Sequence, residues 1–225
     1  MFIWDICCGT GSVSNVWRAA GHETLTLDLD PKCQPDICTD IMTWEYTDFG
    51  LEPPDFIWCS PPCTHYSIAR TKAKTPRDLE GSDAIVQRCL DIIQYWRPKY
   101  WVIENPQTGL LKTRQVIRGL PFKDVDYCSY GAPYRKRTRL WTNCANWTPR
   151  PLCNHVSHPM SAQRGPGKRM GELRAGDTCS LSMLHAIPQE LTREIMLYAN
   201  ETNETNESNV TNETNEINEQ AQEVD

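Results

Sequence analysis

Short apolar runs recur along the first two thirds of the chain, each ending in a polar turn that bears glycine, proline or an acid. Phe2–Ile6, Thr24–Leu29, Asp36–Ile41, Phe56–Cys59 and Tyr100–Ile103 have the length and composition of strands. Further strand signals lie at Val125–Ser129 and Arg139–Thr142. Helical spacing falls between them. Ser12 is a candidate cap for a helix that runs to Ala20 and is closed by Gly21. Over Asp83–Trp96, residues Ile85, Val86, Cys89, Ile92 and Ile93 share one helical face, with Pro98 just beyond its end. A last helix is predicted over Gln189–Tyr198, after Ile187-Pro188. Strands alternating with helices predict a doubly wound, Rossmann-like α/β domain over residues 1–143 and 187–199. Residues 144–186, rich in Pro, Gly, Arg and Cys and without a steady period, read as a small insert before the last helix.

Composition changes this picture at the C-terminus. Asn recurs at every third position from Asn200 to Asn218, mostly among Glu and Thr, so residues 200–225 have almost nothing to bury and are expected to be disordered. Residues 201–225 carry seven Glu and one Asp without Lys or Arg, and subtracting these eight charges from the formal −6 leaves +2 on residues 1–200. Within that body, residues 134–174 hold nine Lys/Arg against the single acid Glu172. A basic segment of this kind suits contact with phosphates. Arg164, Lys168 and Arg169 lie in its Gly-rich part and are the candidate nucleic-acid contacts.

The cysteine count is eleven, and odd. No signal-peptide pattern opens the chain and no apolar run is long enough to span a membrane, so the cysteines are expected to be reduced, in an intracellular setting. Cys144, Cys153, His155 and His158, with Cys128 or Cys179, are candidate zinc ligands. Their spacings are irregular and include no Cys-x-x-Cys pair, so packed thiols and solvent histidines are the expectation, with no metal.

Three features carry chemistry. Cys63 follows Pro61-Pro62, and two prolines cannot continue the buried strand Phe56–Cys59. A thiol is thereby held on a stiff loop at a strand's C-terminal edge, where open α/β sheets place their ligand crevices. Cysteine is suited to attack on carbon because its thiolate is both accessible and strongly nucleophilic. Glu104 ends a second apolar strand, where desolvation is expected to favour its protonated form. Asp5-x-x-x-Gly9-x-Gly11 joins the first strand to the first helix, and Asp28 ends the second strand. Glycines let a ligand approach the backbone closely, and an acid so placed binds ribose hydroxyls. Two glycines rather than three favour an adenosyl group over a pyrophosphate.

In order along the chain, Asp5–Gly11, Asp28-Leu29-Asp30, Thr39-Asp40-Ile41, Pro61-Pro62-Cys63-x-x-x-Ser67, Glu104-Asn105-Pro106 and Tyr130-Gly131-Ala132-Pro133…Arg137-x-Arg139 resemble the ordered motifs of the DNA cytosine-5 methyltransferases. The resemblance covers about residues 1–143 and resumes at Ile187–Tyr198. It implies transfer of a methyl group from S-adenosylmethionine to C5 of cytosine in double-stranded DNA. By the same resemblance, Cys63 adds to cytosine C6, Glu104 bonds the ring at N3, and Arg139, with Arg137 beside it, holds the base oxygen. Ser67 meets a phosphate of the flipped nucleotide. Asp5, Cys7, Gly9, Thr10, Gly11, Asp28, Leu29, Asp40, Ile41 and Pro61 are the implied cofactor residues.

The chain departs from the family pattern in several places. Cys7 replaces the usual Phe, Pro106 the usual Val, and Tyr134-Arg135-Lys136 takes the place of a Gln before Arg137. Residues 144–186 are short for a target-recognition domain. Ser60-Pro61-Pro62 also resembles the loop of exocyclic amino (N4-cytosine) methyltransferases, which usually carry an aromatic residue next and need no thiol; a non-catalytic nucleic-acid binder is the third reading. A monomer in the cytoplasm, or inside a host cell if viral, is the expected setting.

Overall fold

The computed structural model describes residues 1–48, 50–71, 73–164 and 177–202, with 161–164 and 177–178 as backbone. A seven-stranded sheet is built from β1 (Phe2–Ile6), β2 (Glu23–Asp28), β3 (Ile37–Cys38), β4 (Phe56–Cys59), β5 (Tyr100–Pro106), β6 (Phe122–Asp126) and β7 (Arg137–Thr142), in the order β3-β2-β1-β4-β5-β7-β6. The first five pair in parallel, and β7 runs antiparallel to both β5 and β6. The parallel strands all end at one edge, which gathers the turns after β1, β2, β4 and β5.

β4 is buried on both faces, as its unbroken run Phe-Ile-Trp-Cys requires. On one face Ile3, Phe56, Trp58, Val102 and Leu140 pack with α1 (Ser14–Ala19) and with α4, a helix described over 189–202 that contributes Leu191, Ile195 and Met196. On the other, Trp4, Ile6, Ile57, Cys59, Ile103 and Trp141 pack with α2 (Leu79–Trp96). α2 starts earlier than its apolar stripe because Asp78 caps it, accepting from the Gly81 N–H at 2.8 Å. It ends where Arg97 turns left-handed (φ 49°) before Pro98.

Several boundaries differ from expectation. Ser12 does not cap α1; its Oγ accepts from the Ile187 N–H at 2.9 Å, tying the C-terminal segment to the first turn. The N-terminus of α1 is met instead by Asp5, whose Oδ2 accepts from the Ser14 N–H at 3.0 Å. β3 shrinks to a pair of residues because Asp36 leaves the ladder to accept from the Thr26 N–H and hydroxyl and from Arg18. The expected strand Val125–Ser129 forms earlier, at β6, and then tightens into a 3₁₀ turn over Tyr127–Tyr130, closed by Gly131 at φ 86°. In the insert, β8 (Met160–Arg164) and β9 (Asp177–Cys179) form a small parallel pair, followed by α3 (Leu181–His185). Residues 200–202, expected to belong to the tail, continue α4: the Asn200 amide lies 3.3 Å from His22 Nε2, and the Tyr100 hydroxyl donates to Thr202 Oγ1 at 2.5 Å. The expected disorder of the rest falls on 203–225, outside the described residues. All eleven cysteines are free of disulfides. Among the described residues, no helix is long and apolar enough to cross a membrane.

Candidate active site

The loop that offers Cys63 is fastened at both ends. Ser60 N–H donates to the Ile6 carbonyl at 2.9 Å as β4 ends, and Asn105, buried in β5, donates its amide to the Pro61 carbonyl at 2.9 Å. The Asn of Glu104-Asn105 thus ties the Pro-Pro turn to the neighbouring strand. Beyond Cys63 the chain folds back, with the Ser67 N–H donating to the Cys63 carbonyl at 2.9 Å. Tyr66, fully buried, anchors that turn through its hydroxyl to Asp83 on α2, itself paired with Arg114 at 2.7 Å. Arg77 adds bonds to the His65 and Ser67 carbonyls. Cys63 itself is half-buried. Burial first, and then the Glu104 carboxylate, push its thiol above the usual cysteine value, while Lys136 pulls it the other way.

Glu104 lies in the same cleft, 7% exposed. The Tyr127 hydroxyl donates to its Oε1 at 2.9 Å, and Lys136 Nζ stands 3.8 Å from that oxygen. Lys136 is placed from three sides: it donates to the Leu184 carbonyl at 2.9 Å, lies 4.7 Å above the Tyr127 ring, and faces Glu104. Neither Lys136 nor Tyr127 was among the residues expected here. The basic pair Arg135-Lys136 before Arg137 was the sequence signal for Lys136, and nothing local marked Tyr127.

The opposite wall is the glycine loop. Cys7, Gly9 and Gly11 take left-handed φ values of 58°, 51° and 65°. A non-glycine residue in that region is strained, and Cys7 holds it while lining the cleft. Asp28 fixes the loop by accepting from the Gly9 N–H at 2.9 Å, and its other oxygen accepts from the Asp30 N–H at 2.9 Å. Asp5 lies beneath; burial pushes its carboxyl up to about 6, and its Oδ1 is buried without a partner. Leu29, 67% exposed, follows Asp28 as an uncovered apolar surface. An acid at the strand end and a left-handed backbone cradle fit the ribose and the amino-acid arm of S-adenosylmethionine.

Of the expected cofactor residues, Cys7, Gly9, Asp28 and Pro61 line the cleft together with Cys63 and Glu104. The others stand back from it. Thr10 is exposed on the loop, Ile41 is buried in the core under α2, and Asp40 accepts from the Met42 N–H at 2.9 Å in its own turn. Ser67 Oγ accepts from the Ala69 N–H at 3.2 Å.

Arg137 and Arg139, expected to hold the base, are set elsewhere. Glu104 pairs with Leu140 and Asn105 with Arg139, so side-chain alternation turns Arg137 and Arg139 to the sheet face opposite Glu104. There Arg139 makes a two-pronged pair with Asp124, at 2.7 and 2.9 Å, and lies 3.5 Å above the Phe122 ring. Arg137 pairs in the same way with Asp126, at 3.1 and 2.7 Å. Both clamp β6 to β7, and among the described residues Lys136 is the Lys or Arg that lines the cleft. Lys168 and Arg169 lie outside the described residues, and Arg164 is described as backbone in β8.

Residues 2–118 match the family model for C-5 cytosine-specific DNA methylase. The chain is 36% identical over 180 residues to the "Probable DNA (cytosine-5)-methyltransferase" of Frog virus 3 (isolate Goorha), an alignment covering 74% of this chain and 81% of the viral one. Among solved structures it resembles a candidate DNA modification methyltransferase encoded within a prophage of E. coli, with a TM-score of 0.51 and 15% identity over 68% of this chain and 52% of that one. That likeness concerns the fold, and the chain spans about half the length of the structure it matches. The fold, the Pro-Pro-Cys and Glu-Asn motifs in one cleft, and these two sequence matches place the chain in the C-5 cytosine-specific DNA methylase family, whose members are S-adenosylmethionine-dependent methyltransferases.

Proposed function

We propose that this chain methylates C5 of cytosine in double-stranded DNA through a covalent Cys63–C6 adduct, on a cytosine turned out of the duplex. The observation that carries this reading is the convergence of Cys63, Glu104 and Lys136 opposite the Gly9–Asp28 wall of one cleft. Cys63 Sγ adds to C6, which converts the ring into an enamine with nucleophilic character at C5. Glu104 bonds the ring at N3 and relieves the charge that develops there, held in aim by Tyr127. The Lys136 ammonium offers a donor beside Glu104, where it is suited to the base oxygen, the role the resemblance gave to Arg139. S-adenosylmethionine, when bound, supplies an electrophilic methyl group. Transfer of the C5 proton to a solvent water then expels the Cys63 thiolate and restores the aromatic ring.

Residues 144–186 serve as the recognition segment in this reading, with Arg164, Lys168 and Arg169 as the candidate DNA contacts, and the chain acts as a monomer inside a cell. The test is digestion of duplex DNA to nucleosides after incubation with the chain and labelled S-adenosylmethionine. Label in 5-methyldeoxycytidine is the expected result. Label in N4-methyldeoxycytidine, or none, would overturn the reading.

The position of the Cys63 thiol gives a pH signature. Because burial and Glu104 raise it, little thiolate is present at neutral pH, and more forms as pH rises. The single-turnover methylation rate is expected to climb through neutral pH and level off only above the ordinary thiol range. Lys136→Met removes the charge that favours the thiolate and is expected to move that rise to higher pH. A rate independent of pH over this span would mean that thiolate formation does not limit the reaction.

A further inference from the structure

Cys128, Cys153 and His158 have no part in the chemistry above, yet the fold draws them together from separate segments. Cys128 is in the 3₁₀ turn after β6, Cys153 lies in the loop beyond β7, and His158 stands just before β8. Their ligand atoms all lie within 4.8 Å of one another, and Cys153 Sγ is 3.2 Å from His158 Nε2. A tetrahedral zinc ion, with Zn–S near ~2.3 Å and Zn–N near ~2.0 Å, sets its ligand atoms about 3.5–3.8 Å apart. Small side-chain adjustments therefore suffice to close this group around one ion.

The surroundings go beyond proximity. Cys153 Sγ accepts from the His155 N–H at 3.4 Å, the kind of bond that supports a metal-bound thiolate. The Cys153 N–H in turn donates to Asp126 Oδ2 at 2.9 Å, and Asp126 is fully buried and held by Arg137 at 2.7 Å. The His155 ring is exposed, its centroid 6.1 Å from that of His158. The loop around these residues leaves Leu152 and Val156 exposed, so it has no apolar core of its own to fix its course. Cys144 and Cys179 are the packed thiols that the sequence led us to expect, whereas Cys128 and Cys153 are only half-buried.

We propose that Cys128, Cys153 and His158 bind a zinc ion, with His155 as fourth ligand, in a structural site that ties the start of the 144–186 segment to the end of β6. Two thiolates and two imidazoles form a borderline-soft donor set suited to zinc. A site with all four corners filled by protein is structural rather than catalytic. This assignment stands independently of the proposed methyl transfer.

The experiment uses the full chain, purified under reducing conditions from zinc-supplemented cells, with metal measured by mass spectrometry and by cobalt exchange. The expected result is one zinc per chain, replaced by cobalt with thiolate-to-cobalt charge-transfer bands and the strong visible absorption of a tetrahedral centre. Cys128→Ser and Cys153→Ser are expected to lose the metal, and Cys38→Ser, at the exposed sheet edge, to keep it. His158→Ala and His155→Ala should each weaken cobalt binding at least tenfold. Should the cysteine variants fail to fold, cobalt titration of chelator-stripped wild-type chain decides alone. Absence of tetrahedral cobalt binding by folded wild-type chain, or full zinc content in folded Cys153→Ser, would overturn the proposal. So would a Cys128–Cys153 disulfide, and unchanged affinity in His155→Ala would overturn that residue's place in the ligand set.

Discussion

Cys63→Ser is expected to abolish methylation of cytosine, with a loss of at least about 10³-fold in the single-turnover rate, the scale on which removal of a covalent nucleophile acts. The serine hydroxyl, far less acidic than a thiol, is a far weaker nucleophile toward C6. S-adenosylmethionine binding should be unchanged, because the Gly9–Asp28 wall belongs to other elements, held by its own hydrogen bonds. The fold should survive as well, since the loop is fixed by Asn105 and Tyr66 rather than by the thiol. Calorimetry with the cofactor and filter-bound methyl transfer measure the two halves of this expectation. Loss of cofactor binding together with activity would point to a collapsed loop instead of a missing nucleophile.

Glu104→Gln should lower the methylation rate by roughly 10²–10⁴-fold, the range of general acid–base contributions, with little change in the Michaelis constant for DNA. Glutamine keeps the shape of the side chain and still accepts from the Tyr127 hydroxyl. What it loses is the ability to take up and release a proton as charge builds at N3. It also removes the carboxylate that raises the Cys63 thiol, so the residual activity should rise at lower pH than in the wild type. Steady-state kinetics across pH check both effects. A rate within a few-fold of wild type would remove Glu104 from the chemistry.

The backbone of this site was legible before any coordinates because its signals are local. Two prolines after an apolar run stop a strand and present the next residue, and β4 does end at Cys59 with Cys63 on the loop. Glycines beside Asp5 were readable as a close turn, and Gly9 and Gly11 adopt the left-handed backbone that only glycine takes easily. Pairing information is not local, and there the reading fell short. Arg137 and Arg139 match a family pattern in sequence, but the antiparallel register of β7 on β5 decides which face they occupy, and it gives the cleft to Lys136. Tyr127 was hidden for a related reason, since a strand and a 3₁₀ turn share the run Val125–Ser129 and only tertiary packing divides it. Cys128, Cys153 and His158 stood among the sequence's candidate ligands, but irregular spacing could not tell which of them meet, because they come from segments that only the fold brings together.

The central claim, a covalent bond from Cys63 to the target base, is tested most directly with duplex DNA carrying 5-fluorocytosine. Fluorine at C5 prevents the elimination that frees the enzyme, so the adduct accumulates. With S-adenosylmethionine present, a complex stable to denaturing electrophoresis is expected, and mass spectrometry of its peptides should place the nucleotide on Cys63. A modified peptide that contains a different cysteine, or equal trapping by Cys63→Ser, would contradict the account.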